Sequence, residues 1–254
     1  MGAALAIALA IAIAIVDAGA RASDETPPAA EPAEWRPLDA RDERYPLDGL
    51  DRAVARTGPI VCPDVPMVVY RGQAIRYHKP VRVFESFRPR LVELEAVVRT
   101  VATEIYGRAP VRIRHAGTFN CRRIARYIDL LSEHGLGNAI DIEGFEFAAA
   151  RSGGEARAAP RGLRGAFQVH LGTHWKAQRG VSAVHARFLE TLARRLVDRP
   201  EIFRVLLGPA FPGHKSHFHF DMAPYRMIAI WRDPTVEPAA AAAASQTAPA
   251  PAAP

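Results

Sequence analysis

The chain has 254 residues, 49% of them hydrophobic and 24% charged, with a net charge of +6. That balance excludes a wholly disordered chain and a multi-spanning membrane protein, and at roughly 150 residues per domain the length allows one large domain or two small ones. Two cysteines are too few for a disulfide-built scaffold or a four-cysteine zinc site, so a bound metal must be held by histidines and carboxylates.

Gly2 to Val16 is an unbroken apolar run. It is long for a signal-peptide core and short of the roughly 20 residues of a membrane span. Ala18-Gly19-Ala20 and Ala20-Arg21-Ala22 follow, both in the A-x-A cleavage pattern. No Lys or Arg precedes the run, the one departure from that pattern. Residues 1–22 therefore read as a signal peptide or N-terminal anchor. The expected location is periplasmic or exported, with membrane association through this segment if it is kept.

Residues 23–44 hold seven Asp/Glu against three Arg, with four prolines, and read as an acidic Pro-rich linker. Residues 45–232 are the expected single folded domain. Residues 233–254 contain six consecutive alanines and then alternate Ala and Pro, a tail with little to bury. From Tyr45 onward 29 Arg/Lys face 19 Asp/Glu, which points to a polyanionic partner such as nucleic acid, anionic lipid or cell wall.

Within the domain, Leu91, Leu94, Val97, Val98, Val101 and Ile105 follow helical spacing, and Gly107 closes the pattern. Val111 and Ile113 alternate with Arg112 and Arg114, which predicts a short strand. Cys121, Ile124, Ile128 and Leu131 fit a short helix. Phe167, Val169 and Leu171 alternate as a strand. Val184, Phe188, Leu189, Leu192 and Leu196 make a helix ended by Pro200, and Met227 to Trp231 a last strand. Helices and strands mix without a regular βαβ rhythm, which predicts an α+β fold, a small mixed or antiparallel sheet with flanking helices.

Two segments carry chemistry. In Ser132-Glu133-His134-Gly135-Leu136-Gly137-Asn138-Ala139-Ile140-Asp141-Ile142 the glycines oppose a helix, so His134 is expected on a loop. From Asn138 a strand would send Ile140 and Ile142 to one face and Ala139 and Asp141 to the other. In His214-Lys215-Ser216-His217-Phe218-His219-Phe220-Asp221 a strand would bury Phe218 and Phe220 and line the opposite face with His217, His219 and Asp221. Imidazole and carboxylate suit zinc, and His134, Asp141 and His219 would give the three protein ligands of a catalytic site. His78, His115, His170, His174 and His185 are scattered and read as ordinary surface or half-buried histidines.

Ser-x-His-x-x-Gly-x-Ala-x-Asp with His-x-His far downstream resembles the LAS group of zinc metallopeptidases, which includes D-alanyl-D-alanine peptidases and murein endopeptidases. More closely, the chain resembles the bacterial extensin-like protein C-terminal domain family. That likeness rests on Phe119-Asn120-Cys121-Arg122, on Leu131 to Ile142, and on Leu207-Gly208-Pro209 leading into His214 to Asp221. The resemblance implies a LAS metallopeptidase-like fold, Zn²⁺ on His134, Asp141 and His219, and peptidoglycan peptide as substrate. Carboxypeptidase relatives carry a Glu three residues before the last ligand, where this chain has Ser216. The spacing His214-x-x-His217-x-His219 is similar to the murein endopeptidases instead. It implies His217 as general base or transition-state stabiliser, with His214 as helper. Arg122 would stabilise an oxyanion or bind a substrate carboxylate, Ser132 would orient substrate or a ligand, and Asp221 would orient His219 or His217 from behind.

In an oxidising compartment Cys62 and Cys121 tend to pair, the alternatives being two buried thiols or an intermolecular bridge. The expected function is hydrolysis of an amide bond in peptidoglycan stem peptides or crosslinks. The competing expectation is a non-catalytic wall-binding module on the same fold, favoured by the missing Glu. A nucleic-acid partner is not expected, because no binding motif accompanies the basic charge.

Overall fold

Apolar residues at every second position set where a sheet packs, and the polar residues between them set what its other face presents. The computed structural model describes residues 45–231. The expected signal segment, acidic linker and Ala/Pro tail, with residue 232, lie outside the described residues. In chain order the elements are β1 (Met67–Tyr70), β2 (Arg76–Tyr77), β3 (Val81–Phe84), α1 (Arg88–Tyr106), β4 (Arg112–Gly117), β5 (Arg123–Ile124), β6 (Tyr127–Leu131) and β7 (Ala139–Phe147). Then follow α2 (Gly154–Ala158), β8 (Phe167–His170), α3 (Leu171–His174), α4 (Gly180–Val197), β9 (Val205–Leu207), β10 (Phe218–Asp221) and β11 (Met227–Ala229).

The fold is α+β. Its main sheet has the order β11-β9-β10-β7-β4-β2, with β8 also paired to β7. The pairings are antiparallel except β11 with β9 and β2 with β4. β7 is the longest strand, and β4, β8 and β10 all pair with it. Ile140, Ile142, Phe145 and Phe147 of β7 and Phe218 and Phe220 of β10 enter one core with Leu91, Leu94, Val98 and Val101 of α1 and Phe188, Leu189, Leu192 and Leu196 of α4. Both long helices follow their sequence spacing. Pro89 sits in the first turn of α1, and Gly107, in the left-handed region at φ 72°, returns its N–H to the carbonyl of Thr103. Among the described residues no helix is long and apolar enough to cross a membrane.

Three local expectations need correction. Cys121 to Leu131 is not a helix but the hairpin β5–β6. The apolar spacing fits a helix by coincidence, and long-range backbone bonds decide instead: Val54 N–H to Asp129 O at 2.9 Å and Leu131 N–H to Arg52 O at 2.8 Å. β8 stops at His170, and the fully buried Leu171 opens α3. His134, expected on a loop, sits in a 3₁₀ turn, Glu133–Leu136.

Candidate metal centre

β7 and β10 run antiparallel with His219 opposite Asp141, Phe218 opposite Ile142 and Phe220 opposite Ile140. The phenylalanines and isoleucines enter the core, so Asp141 and His219 project side by side from the other face. His217 immediately precedes β10 rather than lying on it.

His134 reaches the same place from its turn. Ser132 caps that turn, its Oγ accepting the N–H of His134 at 3.4 Å, and Gly137 ends it at φ 61°. A Cβ on Gly137 would meet Met67 Cε at 2.5 Å and Phe84 N at 2.9 Å, so only glycine lets the turn dock.

His134 Nδ1 donates to the carbonyl of Thr118 at 2.6 Å. Its Nε2 then faces inward, 3.2 Å from Asp141 Oδ2 and 3.1 Å from His219 Nδ1. His219 is oriented the opposite way round. Its Nε2 donates to Asp221 Oδ2 at 2.7 Å, and its Nδ1 lies 3.0 Å from Asp141 Oδ1. Asp221 is itself held by the N–H of Ala223 at 2.8 Å. Of the two partners expected for Asp221, the structure assigns His219. Each imidazole thus uses its outer nitrogen as a donor and turns the inner one toward Asp141. The edges of a tetrahedral site with bonds near 2.0–2.1 Å are about 3.3 Å, a few tenths longer than these inner distances. His134, Asp141 and His219 also form the one group among the described residues whose ligand atoms are close enough together to hold a metal ion.

The electrostatics follow from this packing. Burial opposes ionisation of Asp141, but the His134 and His219 imidazoles against it outweigh that and hold the carboxyl well below the usual range. Burial also opposes charge on His219, yet its bonds to Asp141 and Asp221 push it up to about 9.

His217 Nε2 stands 3.8 Å from Asp141 Oδ1, and the His214 ring lies 4.9 Å from that of His217 and 5.7 Å from that of His219. Burial pushes His217 down and His214 down to about 4. Both imidazoles are therefore neutral near pH 7. Ser216 is exposed, its Oγ 3.5 Å from His217 Nδ1. Arg122 lies beside the His134 turn, its carbonyl accepting the N–H of Ser132 at 3.0 Å, with a half-buried side chain. Ser132 is buried in its capping role.

Cys62 and Cys121 are bridged, with 5.8 Å between their Cα atoms. The bridge touches the same turn: a Cβ on Gly135 would lie 2.7 Å from Cys62 Sγ, and Asn120, next to Cys121, donates its N–H to the carbonyl of His134 at 3.0 Å. A disulfide of this kind suggests an oxidising, extracellular or periplasmic compartment.

Several contributors escaped the sequence reading. Glu133, the first residue of the turn, is buried, paired with Arg52 and accepting from Asn138 Nδ2 at 2.5 Å. Tyr45 donates to Asn138 Oδ1 at 2.5 Å. Glu133 and Asn138 flank His134 in sequence and were available to inspection, whereas Tyr45 and Arg52 lie some 80 to 90 residues away with no local pattern to mark them. Glu143, two positions past Asp141, adds a second carboxylate that favours charge on His217. The five other histidines are less scattered than expected. His78 and His115 pack with tilted rings 4.5 Å apart, and buried His185 is hydrogen-bonded through Nδ1 to Tyr106 OH at 2.9 Å.

No curated protein and no solved structure matches this chain. The family model described as Extensin-like protein C-terminus matches residues 92–232. That stretch holds the His134 turn, β7 and β10 with the whole candidate centre, and covers more than half of the chain, which therefore belongs to the extensin-like protein C-terminus family.

Proposed function

We propose that the protein is an exported zinc-dependent peptidase that hydrolyses an amide bond in peptidoglycan stem peptides or crosslinks. One observation supports this most. Nε2 of His134, Nδ1 of His219 and the carboxylate of Asp141 converge, while the outer nitrogens of both imidazoles are already engaged. Two imidazoles, each braced from behind, and one carboxylate make the donor set of a catalytic zinc site with one position left for substrate. The ion would supply a Lewis acid for the scissile carbonyl and a water of lowered pKa.

The chain's own residues do the rest. His217 is neutral near pH 7 and accepts a proton at Nε2, the nitrogen nearest Asp141. The neighbouring carboxylate steadies the imidazolium until the proton passes to the leaving amine. His214 packs against His217 and holds that ring in place. Arg122, beside the His134 turn, offers a planar fork for a substrate carboxylate. The disulfide and the apolar N-terminal run fit a periplasmic enzyme with its substrate in the wall.

Digestion of purified sacculi by the zinc-loaded chain tests the reading, with Asp141→Ala and His217→Ala beside it. New stem-peptide ends, absent with Asp141→Ala and reduced with His217→Ala, support a peptidase. Stoichiometric zinc with no cleavage would transfer the reading to a wall-binding module, in keeping with Ser216 where a carboxylate base would stand.

A further inference from the structure

The loop Gly208–His217 has two sides. One presents His214 and His217 to the metal centre. The other walls a cavity of about 570 Å³ whose lining includes Trp175, Trp231, Phe211, Lys176 and Lys215. This volume is that of a small-molecule site, about 300–1,000 Å³. Phe211 packs on His214 at 5.3 Å between ring centres, and His214 lies 5.7 Å from the His219 ring. The cavity is thus one ring removed from the centre.

Its lining is chemically selective. Two of the three lysines in the chain line it, and among the described residues no carboxylate does. Guanidiniums stand over two of the aromatic walls, Arg126 at 5.6 Å from the Phe211 ring and Arg194 at 4.9 Å from the Trp231 ring. Trp175 and Trp231 lie 6.4 Å apart with their planes tilted by 36°. Flat aromatic faces accept the C–H face of a pyranose ring and the methyl of an N-acetyl group. Ammonium groups accept carboxylates. An apolar ligand has no use for the lysines, and a bare anion has none for the tryptophans.

We propose that this cavity binds the glycan end of an anionic wall fragment: an N-acetylated amino sugar bearing a peptide with free carboxylates. The sugar stacks on the tryptophans, a carboxylate meets Lys176 and Lys215, and the peptide runs past His214 to the metal centre. Naming the ligand as wall glycan rests on the peptidoglycan reading above.

Trp35 is the only other tryptophan, so Trp35→Phe leaves Trp175 and Trp231 as the indole reporters. In the full chain, with His219→Ala to prevent turnover, fluorescence is titrated with a soluble disaccharide-peptide, the same disaccharide without peptide, and the free stem peptide. The expected result is saturable binding, tightest for the disaccharide-peptide and weakened at least tenfold by Lys176→Glu/Lys215→Glu. Both lysines are exposed, and the same charge reversal in the parent should leave zinc content unchanged. Equal affinity after charge reversal, no saturable binding, or equally tight binding of the free stem peptide would overturn the subsite. Binding that emerges only when residues 233–254 are removed would assign the cavity to the chain's own tail and overturn it as well. A parent that binds the fragment but cuts nothing would refute the peptidase and leave the subsite standing.

Discussion

Asp221 does not face the open side of the centre, yet it decides how His219 is presented. Its Oδ2 takes the Nε2–H of His219 and its Oδ1 takes the N–H of Ala223. A carboxylate on the far nitrogen fixes the tautomer and makes the near nitrogen a stronger base. Asp221→Asn keeps an acceptor but removes the charge, and should weaken zinc binding by about 10–100-fold in a chelator competition. Unchanged affinity would reduce Asp221 to a brace for the chain near Ala223. The same pair sets a pH dependence. With its pKa pushed up to about 9, His219 is protonated at pH 7 in the metal-free chain, the proton on Nδ1 serving Asp141 and His134 together. A metal must displace that proton, so affinity rises with pH, about tenfold per unit below pH 9, and levels off above it. Calorimetry at pH 7 in two buffers of different ionisation enthalpy should count about one proton released per zinc bound. A count of zero would mean that the metal enters an already neutral site.

The elements around those residues differ in how plainly the sequence announces them. β10 alternates Phe with polar residues, β7 alternates Ile with polar residues up to Ile142 and resumes with Phe145 and Phe147 after a shift of register, and α1 and α4 are long enough for helical spacing to repeat several times. These four place the core, and β7 and β10 also place Asp141 and His219. The 3₁₀ turn of His134 is four residues long, too short for any period to show. The hairpin β5–β6 is held by the backbone of Arg52 and Val54, partners that no local window contains. The wall of the cavity beside the centre joins residues near 175, 210 and 230, which only the tertiary fold brings together. Glycine marks the one turn that periodicity cannot. Gly137→Ala needs a left-handed alanine and drives its methyl into Met67 and the backbone of Phe84. It should cost about 1–3 kcal/mol in urea unfolding. Gly49→Ala, with open space around it, should stay within about 0.5 kcal/mol. Equal effects at the two positions would show that the turn yields freely.

Across the whole molecule, the Cys62–Cys121 bridge ties the long segment before β1 to the connection between β4 and β5, beside the His134 turn, over a sequence separation of 59. A bridge can act in two places. By closing a loop it lowers the entropy of the unfolded chain, which stabilises the fold without changing any native contact. By holding native groups together it acts on the folded state itself. Here the second effect has a visible route. Cys62 Sγ lies against Gly135, and Asn120, beside Cys121, is bonded to the carbonyl of His134, so the bridge grips the ligand turn from both sides. Loop closure alone predicts that Cys62→Ser/Cys121→Ser loses about 2–4 kcal/mol of stability and keeps its zinc affinity. Gripping the turn predicts the same loss together with weaker zinc binding, because His134 Nε2 then samples positions away from Asp141. We expect the second outcome: both a lower urea midpoint and a lower zinc affinity, measured on the double variant and on the parent reduced under native conditions. Reduced parent and double variant should agree, since both lack the bridge and differ otherwise by two atoms. Full zinc affinity in a destabilised variant would confine the bridge to the unfolded chain and leave Ser132, Gly137 and the Glu133 network to position His134 alone.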